Sequence, residues 1–110
     1  DVFSEFENFY NSVKEKLPKT KVFAISIQPS PSRFDQRSRQ KKWNESVRNL
    51  AGAEASLIFV DVSPPMLSAD DKPRSELYTD DMLHMNEKGY KIWTKQVREN
   101  LKKYFPEDFL

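Results

Sequence analysis

Apolar residues along this chain recur with two different periods, and the switches between them mark out five elements. Over residues 2–17, Val2, Phe3, Phe6, Phe9, Tyr10, Val13 and Leu17 recur at steps of three and four. That spacing predicts one apolar stripe on a helix, which Pro18 ends. After the polar Lys19-Thr20-Lys21, residues 22–27 form a short and nearly continuous apolar run. Such a run suits a strand covered on both faces, as in a parallel sheet. Pro29 and Pro31 then predict a loop over 28–33 in which neither helix nor ladder continues. A second helix is expected over about 36–51, capped by Asp35, with Trp43, Val47 and Leu50 facing inward. Residues 57–62 repeat the buried-strand pattern, and Pro64-Pro65 closes it. Residues 63–86 show little periodicity, and a long connection of that kind is usually functional or disordered. Asn86 is a suitable cap for a last helix carrying Tyr90, Trp93, Val97 and Leu101 on one face. The tail, residues 105–110, has no clear pattern.

Strands that alternate with helices imply right-handed crossovers and parallel pairing. The fold class is therefore α/β. Both strands run the same way, so the loops at 28–34 and 63–86 leave from one carboxyl edge, where open α/β sheets bind ligands.

Composition removes several function classes. The 110 residues carry 18 basic and 17 acidic side chains, a net charge of +1. That balance does not point to nucleic acid or to an anionic membrane surface. The basic positions of the second helix, Arg37, Arg39, Lys41, Lys42 and Arg48, read as a solvated face, with no interleaved aromatics to stack bases. No apolar run is long enough to span a bilayer. With no cysteine, thiol catalysis and thiolate metal sites are excluded. Asn44-Glu45-Ser46 has the form of a glycosylation sequon, but it falls inside a helix and reads as a chance triplet.

Candidate chemistry concentrates at Asp81-Met82-Leu83-His84, which holds the one histidine of the chain. A carboxylate three residues before an imidazole, in a turn, can accept from one ring nitrogen and leave the other to take a proton. A surface histidine with an acidic neighbour by chance would look the same. Asp80, Asp81 and His84 do not make a zinc set, because no second histidine completes it, so no metal is expected. Ser26, Ser30, Ser32 and Ser63 lie near the carboxyl edge but none sits in a Gly-x-Ser-x-Gly elbow. The base has no evident nucleophile within the chain.

Asp81-x-x-His84-x-Asn86-x-x-Gly89-Tyr90-x-x-Trp93 resembles the last block of the SGNH, or GDSL-type, hydrolases. The stretch from Ile25 to Arg33, then Trp43-Asn44, Phe59–Val62 and Met66-Leu67, is similar to the second half of one bacterial branch of that family. The resemblance implies a three-layer α/β/α domain with a flavodoxin-like parallel sheet, of which this chain would hold the last two strands and three helices. It implies hydrolysis of small-molecule esters, thioesters or acetylated sugars by a serine nucleophile, without a cofactor. By position, His84 would be the general base and Asp81 its orienting acid, with Asn86, Gly89 and Tyr90 starting the final helix.

The family's Gly-Asp-Ser block and its glycine and asparagine blocks, which complete the oxyanion hole, have no counterpart here. Residues 1–110 are accordingly expected to be the C-terminal part of a single domain. The strand at 22–27 is expected to pair, along its outer edge, with a missing N-terminal segment or another copy. The alternative is a non-catalytic binding or structural module on the same fold.

Overall fold

The computed structural model describes residues 2–109. Three helices and two strands follow in the expected order: α1 (Val2–Lys16), β1 (Val22–Ile25), α2 (Arg37–Ala53), β2 (Leu57–Val60) and α3 (Glu87–Tyr104). The strands pair in parallel, with Val22 opposite Leu57 and Ile25 opposite Val60. Both are shorter than the apolar runs suggest. Ser26 still donates its amide to the Val60 carbonyl at 2.8 Å, but the ladder then ends as the chain turns into Pro29.

Side chains alternate across this pair, and each face finds its own helices. Val22, Ala24, Leu57 and Phe59 face α1 and α2, in a cluster with Phe3, Phe6, Tyr10, Trp43, Val47 and Leu50. Phe23, Ile25, Ile58 and Val60 face α3 through Trp93 and Val97. The result is three layers, α/β/α, around a two-stranded parallel sheet. A strand buried on both faces is why the apolar runs are continuous rather than alternating. Tyr10 is fully buried, and its hydroxyl lies 2.6 Å from Ser56 Oγ, which satisfies a polar group that would otherwise be costly there.

Several expectations from the sequence need correction. Asp35 caps nothing: residues 31–36 form a 3₁₀ helix with Pro31 at its first turn, and α2 begins behind it without a side-chain cap. Proline fits that first position because its missing amide would be unpaired anyway. Val2 and Phe9 lie on the exposed part of α1, Leu17 is exposed just past its end, and Tyr90 is 53% exposed on α3 rather than inward. Lys41 and Arg48 are not simply solvated. Lys41 pairs with Asp71 at 2.6 Å and Arg48 with Asp61 at 2.8 Å, so part of the basic face ties α2 to the loops.

The long connection is also more ordered than its lack of periodicity suggests. It contains 3₁₀ turns at Pro64–Met66 and Ser75–Leu77, and bridges join Leu67 to Pro73 and Tyr78 to Met85. Met66, Leu77, Tyr78 and Met85 are buried as a core cluster of their own against Ile92 and Trp93. The tail forms a final 3₁₀ turn, Pro106–Phe109.

Gly89 makes this packing possible. Its backbone lies so close to the connection that a Cβ would collide with the Leu77 carbonyl oxygen and sit 3.0 Å from Met85 Cβ. Gly52, in α2, has nothing within 4 Å of the same position. Gly89→Ala is therefore expected to lower stability by about 1–3 kcal/mol, because backbone must shift. Gly52→Ala should raise it by roughly 0.5–1 kcal/mol through helix propensity. Thermal or urea unfolding of the two variants tests this, and equal effects would contradict it.

Candidate active site

The segment between Tyr78 and Met85 is a tight turn closed by backbone. Thr79 donates its amide to the His84 carbonyl and Met82 to the Thr79 carbonyl, each at 2.8 Å. Met82 sits in the left-handed region at φ 56°, which costs a residue with a Cβ about 1–2 kcal/mol. The turn is held in that conformation from inside by Asp81. Its Oδ1 accepts from Thr79 Oγ1 at 2.7 Å, from the Leu83 amide at 2.9 Å and from the His84 amide at 3.0 Å. Its Oδ2 is 2.6 Å from His84 Nδ1.

The two oxygens of Asp81 thus have separate tasks, one shaping the turn and the other holding the ring. The imidazole contact, then the Thr79 hydroxyl, then the two amides hold the Asp81 carboxyl well below the usual carboxylate range. An ionised carboxylate can only accept, so the proton in the 2.6 Å contact belongs to Nδ1. In the neutral ring Nε2 then carries the lone pair. The side chain of His84 is 71% exposed and that of Asp81 49%, so this lone pair is open to an approaching group.

Two other contacts fix the turn to the sheet edge. The Ser32 amide donates to the Met82 carbonyl at 3.0 Å, and the Tyr78 hydroxyl donates to the Pro29 carbonyl. The loop after β1 and the loop after β2 therefore meet at the carboxyl edge, as the topology requires. Burial pushes the Tyr78 phenol up to about 12, against a lowering from Arg37, so it remains a donor at neutral pH. From below, Asn86 caps α3 by accepting from the Gly89 amide at 3.0 Å. Its amide nitrogen donates to the Glu76 and Tyr78 carbonyls, at 2.8 and 3.2 Å.

Of the four serines near the edge, none is hydrogen-bonded to His84 among the described residues. Ser26 and Ser63 are buried in a structural network. Ser26 Oγ donates to Asp61 Oδ1 at 3.0 Å, accepts from the Val62 amide at 2.9 Å and lies 3.4 Å from Ser63 Oγ. Ser30 is buried and Ser32 exposed. No group of three or more histidine, aspartate or glutamate side chains placed to hold a metal occurs among the described residues. No helix there is long and apolar enough to cross a membrane.

The model of the GDSL-like lipase/acylhydrolase family matches residues 1–92. The chain belongs to that family. No curated relative matches it. Among solved structures, a Streptococcus pneumonia protein provisionally described as a platelet activating factor is similar, at 25% identity and a TM-score of 0.75. The match covers 90% of this chain and 50% of that one. The chain thus spans about half the length of the solved structure it matches, and the two-stranded α/β/α unit is a part of the GDSL-type fold.

Thr79 and Tyr78 were not singled out from the sequence. Thr79-x-Asp81 has the form of a local side-chain turn, a weak signal that could have been read. The Tyr78 contact reaches back to Pro29 and had no local signal.

The depressed Asp81 carboxyl has a consequence for pH. A group whose folded pKa lies below its unfolded value stabilises above the unfolded pKa, near 3.9, and loses that contribution as pH falls through the folded value. The turn is expected to keep its Thr79–Asp81–His84 contacts at pH 4. A carbon-detected NMR titration of the Asp81 carboxyl should show a midpoint below the ordinary aspartate range. Asp81→Asn should release the His84 ring without unfolding α3.

Proposed function

We propose that this chain forms the C-terminal, base-bearing part of an ester hydrolase domain, in which His84 is the general base and Asp81 orients it. The observation that carries this reading is the 2.6 Å contact of Asp81 Oδ2 with His84 Nδ1, in a turn at the carboxyl edge of a GDSL-family sheet. The nucleophile is a serine supplied by polypeptide outside these residues. Its hydroxyl proton passes to His84 Nε2 as the oxygen attacks the acyl carbon of a small ester or acetylated sugar. The imidazolium that forms is stabilised by the Asp81 carboxylate. It returns the proton to the departing alkoxide, and water repeats the sequence to release the acid. The open face of His84 leaves room for both partners.

In the polypeptide that carries the serine, His84→Ala is expected to lower kcat for a chromogenic short-chain ester by roughly 10³-fold or more with α3 intact. Asp81→Asn should lower it by about 10²–10⁴-fold, because the ring loses its tautomer and orientation. Only a neutral imidazole accepts a proton, so a base mechanism predicts that activity is lost in acid, which a kcat/KM profile against pH checks. The 110 residues alone should turn over little of the same ester. Unchanged activity in His84→Ala would replace this reading with a non-catalytic module on the same fold.

A further inference from the structure

Thr79 is exposed, yet all three of its polar groups turn onto the segment that carries His84. Its amide donates to the His84 carbonyl and its carbonyl accepts from the Met82 amide, each at 2.8 Å. Its hydroxyl donates to Asp81 Oδ1 at 2.7 Å. Water satisfies an exposed hydroxyl equally well, so this contact is explained by what it orders rather than by what it satisfies.

What it orders is the carboxylate plane of Asp81. Rotation about the last bond of an aspartate is soft, with one broad two-fold well. The ring fixes one oxygen only, through the 2.6 Å contact of Oδ2 with Nδ1. The Leu83 and His84 amides meet Oδ1 at 2.9 and 3.0 Å, both from residues that follow Asp81 in the chain. Those two donors are backbone, and any side chains in this turn would leave them in place. Thr79 precedes Asp81, and its hydroxyl is the one further side-chain donor to that carboxylate among the described residues. A carboxylate oxygen offers about two lone-pair directions, so three donors leave Oδ1 no capacity for the ring. After the imidazole, the Thr79 hydroxyl contributes most to holding the Asp81 carboxyl below the usual carboxylate range. The adjacent carboxylate, Asp80, is exposed and has no hydrogen bond or ion pair among the described residues.

We propose that Thr79 is a positioning residue of the site: its hydroxyl clamps the carboxylate of Asp81 so that Oδ2 alone faces the His84 ring. This rests on the reading of His84 as the general base. Thr79 acts through Asp81 and touches neither ester nor ring. An unclamped carboxylate turns away from the ring for part of the time, and proton transfer slows by the fraction of time that the imidazole is misdirected. The loss therefore falls on kcat and not on KM.

The test compares Thr79→Val, Thr79→Ser and Asp80→Asn in the natural, serine-bearing protein. Valine keeps the shape and removes the hydroxyl, whereas serine keeps the hydroxyl and removes the methyl. The readouts are kcat and KM for a chromogenic short-chain ester, the proton NMR signal of His84 Nδ1–H, and thermal unfolding. Thr79→Val is expected to lower kcat about 10-fold, the scale of one lost hydrogen bond to a charged group, with KM unchanged. Its Nδ1–H signal should broaden as the ring loses a fixed partner. Thr79→Ser and Asp80→Asn should keep the kcat and the signal of the unmodified protein. An unchanged kcat in Thr79→Val overturns the proposal. So does a Thr79→Ser protein as slow as Thr79→Val, which assigns the effect to the methyl, or an equal loss in Asp80→Asn, which assigns it to general charge. A Thr79→Val protein that does not fold overturns it too, because the hydroxyl then holds the fold rather than the ring. The Nδ1–H signal is read without turnover, which separates the two readings. A broadened signal in Thr79→Val, with hydrolysis unchanged in His84→Ala, would sink the base assignment. A sharp signal and full kcat in Thr79→Val, with His84→Ala inactive, would sink the clamp alone.

Discussion

Everything in this molecule follows from two four-residue strands lying side by side and pointing the same way. Parallel pairing cannot be closed by a tight turn, so a helix must carry the chain back from the end of β1 to the start of β2. That helix, α2, covers one face, and α3 covers the other. The same constraint sends the loops after both strands out at one end, where Tyr78 meets Pro29 and Met82 meets Ser32. A reactive group on either loop is thus held by both. Two strands alone are a marginal unit in water, and here the pair is reinforced by burial on both faces. Val60 and Val62 are fully buried, each contributing about 1.5–3 kcal/mol by its removal from water.

The candidate site depends on this frame but is shaped by one carboxylate. Asp81 spends one oxygen on three donors of its own turn and the other on the imidazole. The first set fixes where the second oxygen points. An exposed ion pair is normally worth little because both partners keep their freedom. Here the carboxylate has already lost its freedom to the turn, so the ring is held by a group that does not need to be ordered a second time.

Much of this was legible in residue order. The helical stripes, the two continuous apolar runs and the Asp81–His84 spacing each report a local rule, and local rules survive into the fold. Asn86 was readable as a cap for the same reason. The connection between β2 and α3 was not readable, because Met66, Leu77, Tyr78 and Met85 are brought together by contacts across the chain rather than by any period along it. Asp35 looked like a cap but was displaced by the 3₁₀ helix that Pro31 begins. Tyr90 fits the apolar spacing of α3 and yet faces solvent, since periodicity locates a stripe but not the width of what covers it. Family membership rests on the matched residues as a whole, and the serines near the edge, which no elbow motif marked as nucleophiles, include two, Ser26 and Ser63, that are buried in a hydrogen-bond network.

Asn86 is one side chain serving two neighbours: the first turn of α3 through the Gly89 amide, and the 3₁₀ turn of the connection and the residue after it through the Glu76 and Tyr78 carbonyls. Helix and turn consequently share a fate. α3 cannot fray at its start without loosening the segment that carries His84, and that segment cannot open without uncapping the helix. The backbone that carries the exposed imidazole is therefore anchored on the helix side by the single side-chain amide of Asn86, and among the described residues the ring itself is held by Asp81 alone.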